Sequence, residues 1–87
     1  MIRKLDFSKK AQEDLQYWKK TGNQKIQKKI EEILISMRET PFHGIGKPEA
    51  LKHELSGSWS RRIDREHRIV YQILGDVIKI ESLKGHY

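Results

Sequence analysis

Four arginines lie within eight positions, at Arg61, Arg62, Arg65 and Arg68, and all four histidines, His43, His53, His67 and His86, lie beyond residue 40. A guanidinium is a planar fork that matches phosphate oxygens, so arginines on one sheet face can track a nucleic-acid backbone. The bland alternative is surface ion pairing with Asp64 and Glu66, worth roughly 0–1 kcal/mol per pair. His86 and Tyr87 form a terminal pair, and chain ends commonly fray. Lys52-His53 reads equally well as an RNA contact or as plain exposed surface. The histidines lack zinc spacing, and the chain has no cysteine, which excludes disulfides, thiolate catalysis and Cys-ligated zinc. The segment thus holds side chains that bind phosphate and move protons, with no cofactor or metal expected.

The charge distribution sets this segment apart. Eighteen basic against twelve acidic residues give +6 and a pI near 9.7, a balance that suits a polyanion partner. Residues 1–40 carry ten basic and six acidic groups, and eight of their ten basic groups are lysine. Lysine is a solvated point charge, so this half reads as scaffold with a wet face. At 87 residues and 36% apolar composition there is material for one modest core, hence one domain over residues 1–87. No apolar run approaches a membrane span or a signal-peptide core, so a cytoplasmic location is expected.

These side chains must be positioned by elements legible from period and punctuation. Met1 to Phe7 reads as a short strand. Ser8 can cap a helix in which Phe7, Ala11, Leu15 and Trp18 recur at helical spacing. Thr21-Gly22-Asn23 breaks it, and Thr21 with Gln24 fits a capping box for a second helix. Ile26, Ile30, Ile33, Leu34 and Met37 form the cleanest stripe, opposite Lys25, Lys28, Lys29, Glu31 and Glu32. Pro41 to Pro48 reads as a loop that carries Lys47 into Glu49. From Trp59 the period becomes 2, and Gly75-Asp76 predicts a two-residue hairpin turn. That register pairs Ile73 with Ile78, Tyr71 with Ile80 and Ile69 with Ser82. A three-residue loop at Arg65–His67 would pair Ile63 with Ile69 and Trp59 with Ile73, leaving Arg62 and Arg68 on the outward face. Trp18, Trp59 and Tyr71 fall on buried parity. The expected class is α+β, an antiparallel sheet covered on one face by two helices, with a basic groove on the other.

Several motifs, in order, resemble one family. They are Thr40-Pro41-Phe42, Gly44-Ile45-Gly46-Lys47-Pro48-Glu49, Leu51-Lys52-His53, Leu55-Ser56-Gly57, Trp59-Ser60-Arg61-Arg62-Ile63, Glu66-His67-Arg68-Ile69-Val70-Tyr71 and the terminal His86-Tyr87. Together they are similar to the YoeB/Txe group of RelE-superfamily toxins over essentially the whole chain. The resemblance implies a small twisted antiparallel sheet with an N-terminal helical hairpin, in the order β-α-α-β-β-β. It also implies a ribosome-dependent, metal-independent messenger-RNA endonuclease, the toxin of a type II toxin–antitoxin pair. In that family likeness Glu49 matches the general base and Arg68 the phosphate-stabilising cation. His86 matches the general acid and Tyr87 a substrate-orienting residue. Lys52, His53 and Arg62 match supporting basic contacts, and Lys47 and Arg65 are expected to bind RNA beside them. Implied partners are a YefM/Axe-like acidic antitoxin, the 70S ribosome with its message, and a second copy of the chain. One departure is Gly85, where the group usually has an aromatic residue.

The implied roles are chemically coherent. Metal-free RNA cleavage needs a base for the 2′-OH proton, a cation for charge on the phosphate, and an acid for the departing 5′-oxygen. A free glutamate titrates near 4.3, so removal from water in a larger complex would have to make it a better base. Two other classes share the scaffold or the charge: a gyrase-poisoning protein-binding inhibitor, and a non-catalytic RNA-binding module. The inhibitor would not need Glu49, Arg68 and His86 together.

Overall fold

In the computed structural model, which describes residues 3–85, the chain runs β1 (Lys4–Phe7), α1 (Lys9–Thr21), α2 (Gln24–Glu39), β2 (Glu49–Ala50), β3 (Trp59–Arg62), β4 (Arg68–Leu74) and β5 (Val77–Ser82), with a 3₁₀ turn at His53–Leu55. The sheet order is β1-β5-β4-β3-β2. Strands β2 to β5 pair antiparallel, and β1 joins the edge parallel to β5. This is the expected α+β arrangement of a helical hairpin on a largely antiparallel sheet. The two-residue strand β2 is an addition: its pairing to β3 fixes Glu49 opposite Ser60 in a segment that turn chemistry marks only as the end of a loop.

Helix α1 starts as its sequence dictates, with the Ser8 hydroxyl accepting the Ala11 amide. The expected Thr21–Gln24 capping box does not form. Thr21 still belongs to α1, and its hydroxyl donates to the Trp18 carbonyl at 2.7 Å. Gly22 then takes a left-handed φ of 71° to end that helix, so Asn23 becomes the cap of α2 and accepts the Ile26 amide at 3.1 Å. The α2 stripe packs as read: Ile30, Ile33 and Met37 are buried, with Ile26 and Leu34 against them. They meet Ile69, Tyr71, Ile78 and Ile80 from the sheet.

The β4–β5 turn falls at Gly75-Asp76, pairing Leu74 with Val77, Ile73 with Ile78 and Tyr71 with Ile80. Beyond Tyr71 the register shifts at a bulge, and Val70 lies opposite Ser82, where the ideal hairpin would set it opposite Glu81. One extra residue in β5 reverses its parity, which is why Ile78 and Ile80 are buried but so is Leu83. The β3–β4 pairing also differs from the expected one. Trp59 faces Tyr71, and Arg62 faces Arg68 directly. The loop spans residues 63–67, because Asp64 Oδ1 accepts the amides of Glu66 at 2.8 Å and His67 at 2.7 Å and so closes a longer turn. This slip is by two residues, so Arg62 and Arg68 keep their shared face.

Arg61 falls on the opposite parity and is fully buried, which removes it from the arginine cluster. Its five N–H groups all find oxygen: Tyr71 hydroxyl, Ser36 hydroxyl, and the carbonyls of Thr40, His43 and Ile45. It therefore pins the 40–46 loop to the sheet. The loop glycines follow from this. A Cβ at Gly44 would lie 2.5 Å from Ser36 Oγ, and one at Gly46 3.1 Å from Arg61 Cβ, both at positive φ.

Candidate functional site

The outward face of the sheet collects Glu49 from β2, Ser60 and Arg62 from β3, and Arg68 from β4. Cross-strand pairs Glu49–Ser60 and Arg62–Arg68 set their relative positions. Arg68 reaches back across the sheet: its Nη1 lies 3.4 Å from Ser60 Oγ and 4.0 Å from Glu49 Oε1. The Glu49 side chain is 62% exposed, so this pair contributes only about 0–1 kcal/mol and does not explain itself as a stabilising contact. Two arginines directly opposite each other are mildly destabilising as well. With Arg62 and Arg68 side by side, this face is suited to an anion.

Two adjoining grooves divide the residues singled out from sequence. Glu49, Lys52, His53 and Arg68 line an open basin of about 540 Å³, together with Ala50 and Leu51. Lys47, Arg62 and Arg65 line a second groove of about 370 Å³, joined by Lys29 from α2. Lys47 and His53, one in each groove, hold left-handed backbones at φ 52° and 59°. For a side chain bearing Cβ this costs on the order of 1 kcal/mol, and such strain concentrates where a loop's shape serves a ligand. His86 and Tyr87 lie outside the described residues.

The chain leading to them is firmly held. The buried Asp14 carboxylate accepts the Leu83 amide at 2.8 Å and receives Lys10 Nζ at 2.9 Å. Trp18 Nε1 donates to the Leu83 carbonyl at 2.9 Å, and the Arg68 amide donates to the Gly85 carbonyl at 3.0 Å. Behind the site, burial pushes the pKa of Tyr71 above its ordinary value near 10, with Arg61 partly opposing.

Sequence reasoning missed Ser60, Lys29 and Asp14. Ser60 shares the parity of Arg62 and could have been placed with it. Lys29 sits on the lysine-rich face of α2, where nothing distinguishes it from Lys25 or Lys28. Asp14 had a signal: it is an acid on the apolar stripe between Ala11 and Trp18.

Residues 7–87 match the model of a family described as YoeB-like toxin of bacterial type II toxin–antitoxin system. Toxin YoeB of Escherichia coli O6:H1 (strain CFT073) is 50% identical over 84 residues, covering 97% of this chain and 99% of that one. Among solved structures, the YoeB dimer from Staphylococcus aureus superposes with a TM-score of 0.88 at 44% identity, covering 100% of both chains. The toxin in the heterotetrameric YoeB–YefM complex from Staphylococcus aureus superposes with a TM-score of 0.86 at 44% identity, again over 100% of both.

Proposed function

Because the chain belongs to the YoeB-like toxins of bacterial type II toxin–antitoxin systems, within the RelE/ParE superfamily, we propose that its groove cuts messenger RNA held in the ribosomal A site, without a metal ion. The observation that carries this reading is the exposed Glu49 carboxylate 4.0 Å from Arg68 in a basin that also presents Lys52 and His53. Glu49 takes the proton of the ribose 2′-OH, whose oxygen attacks the adjacent phosphorus. The new 2′-O–P bond forms as the P–O5′ bond breaks. Arg68 offsets the charge that builds on the non-bridging oxygens, and His86 protonates the departing 5′-oxygen. Tyr87 orients the substrate. The upstream fragment is left with a 2′,3′-cyclic phosphate.

Lys47, Lys52, His53, Arg62 and Arg65 hold the flanking phosphates and fix register without reading sequence. An exposed carboxylate is a poor base in water, and packing of the ribosome and message over the groove is what would desolvate Glu49. The partners proposed here are an acidic antitoxin, of the kind the YoeB–YefM complex contains, and a second copy of the chain, as in the YoeB dimer. No helix among the described residues is long and apolar enough to cross a membrane, and a cytoplasmic site of action goes with the ribosomal substrate.

A translation extract tests the reading. Wild-type protein should cut message on ribosomes, and Glu49→Ala and His86→Ala should each leave it intact. On expression in cells, growth arrest with intact message would instead select the gyrase-poisoning class, and no arrest at all would select a plain RNA binder.

A further inference from the structure

The geometry points to His67 as a positioning residue that latches the end of the chain against Arg68, an inference that rests on the function proposed above. His67 Nδ1 accepts the Gly85 amide at 2.9 Å. The next residue, Arg68, donates its own amide to the Gly85 carbonyl at 3.0 Å. Both backbone polar groups of Gly85 are thus tied to the dipeptide that carries the phosphate-binding arginine. The two residues that follow Gly85 are His86 and Tyr87. One side-chain bond and one main-chain bond therefore fix Gly85, the residue before them, beside Arg68.

His67 is itself held in a defined orientation. Its ring meets Trp18 edge-on, with centroids 4.8 Å apart at 83°. Its amide donates to Asp64 Oδ1, and Nε2 lies 3.5 Å from Glu66 Oε2. An accepting Nδ1 must be unprotonated, which fixes the neutral Nε2–H tautomer with that N–H toward Glu66. Gly85 meets the latch at φ 86°, a conformation open to glycine and rarely taken by other residues. With no side chain at Gly85, the segment is held there by its backbone alone.

Two substitutions separate latching from packing. His67→Phe keeps a ring against Trp18 and removes the acceptor. His67→Asn loses the ring but carries an oxygen at the position of Nδ1. On ribosome-bound message, His67→Phe should lower kcat about tenfold or more with KM little changed, and His67→Asn should recover most of it. Gly85 amide exchange should speed up by about tenfold in His67→Phe and slow again in His67→Asn. Long-range ¹H–¹⁵N spectra should show wild-type His67 as the Nε2–H tautomer. Wild-type kcat in His67→Phe, failure of His67→Asn to restore kcat or Gly85 protection, or an Nδ1–H tautomer would overturn the inference. If wild-type protein leaves ribosome-bound message intact, the functional reading fails on its own, and Gly85 exchange with the tautomer decides whether the latch exists.

Discussion

Glu49 and Arg68 illustrate how a contact's small energetic worth can be informative. A pair at 4.0 Å with a largely exposed carboxylate adds little to stability, so its removal separates chemistry from folding. Glu49→Gln should lower the cleavage rate by about 10²-fold or more while shifting the urea midpoint by an amount equivalent to less than about 1 kcal/mol. Stopped-time cleavage assays and equilibrium unfolding on the same preparations check both halves. Arg68→Lys should also lose activity, because an ammonium keeps the charge but not the fork that reaches Ser60 and, in the proposed mechanism, holds the phosphate as well. Both residues were legible in the sequence because family motifs surround them. Ser60 was not, since a small hydroxyl carries no signal until a strand register places it beside an arginine.

Among the elements, β3 is the one whose two faces do different work. Arg62 points outward to the groove, while Arg61, one residue earlier, is sealed inside and holds the 40–46 loop by its carbonyls. Arg61→Lys should destabilise by about 3 kcal/mol or more, since several buried oxygens lose their donor, and denaturant titration reads this directly. Tyr71 belongs to the same network, accepting from Arg61 Nε at 3.1 Å and donating to the Pro41 carbonyl at 3.0 Å. Its pKa is raised in the folded state, so the stability it confers is complete below about pH 10, the unfolded value, and is lost as pH climbs through the folded one. Above that pH the wild-type unfolding free energy should fall more steeply than that of Tyr71→Phe. Periodicity was enough to recover both helices, the Gly75-Asp76 turn and the outward parity of Arg62 and Arg68. The β5 bulge and the partners of buried Arg61 were hidden because they depend on residues distant in sequence, such as Ser36 for Arg61, whereas the Asp64 turn is local and was missed because a shorter loop fitted the alternation equally well.

For the molecule as a whole, the +6 charge has two distinct uses. Lys25 and Lys28 lie on the exposed side of α2, where they add to the long-range field. Lys29 joins Lys47, Arg62 and Arg65 in a groove beside the Glu49–Arg68 basin. Long-range steering by such a surface is screened beyond about 8 Å at physiological ionic strength. Association with ribosomes should therefore slow markedly between low and physiological salt, and an acidic antitoxin peptide should show the same dependence in its on-rate by stopped-flow fluorescence. Reversing Lys29 to Glu should weaken ribosome association while leaving the cleavage step of bound complexes near wild type, which places that residue in docking. The reading of a basic surface as a polyanion site began from net charge alone. The grooves narrow it to one face, and the proposed function takes the polyanion to be RNA on a ribosome. The most direct measurement is cleavage of one radiolabelled message, free and on programmed ribosomes, with the ends of the fragments identified. Efficient cutting on ribosomes, weak cutting of the free RNA and a 2′,3′-cyclic phosphate on the upstream fragment are the result expected. Intact message on the ribosome, equal rates on both substrates, or an upstream fragment ending in a 3′-hydroxyl would contradict it.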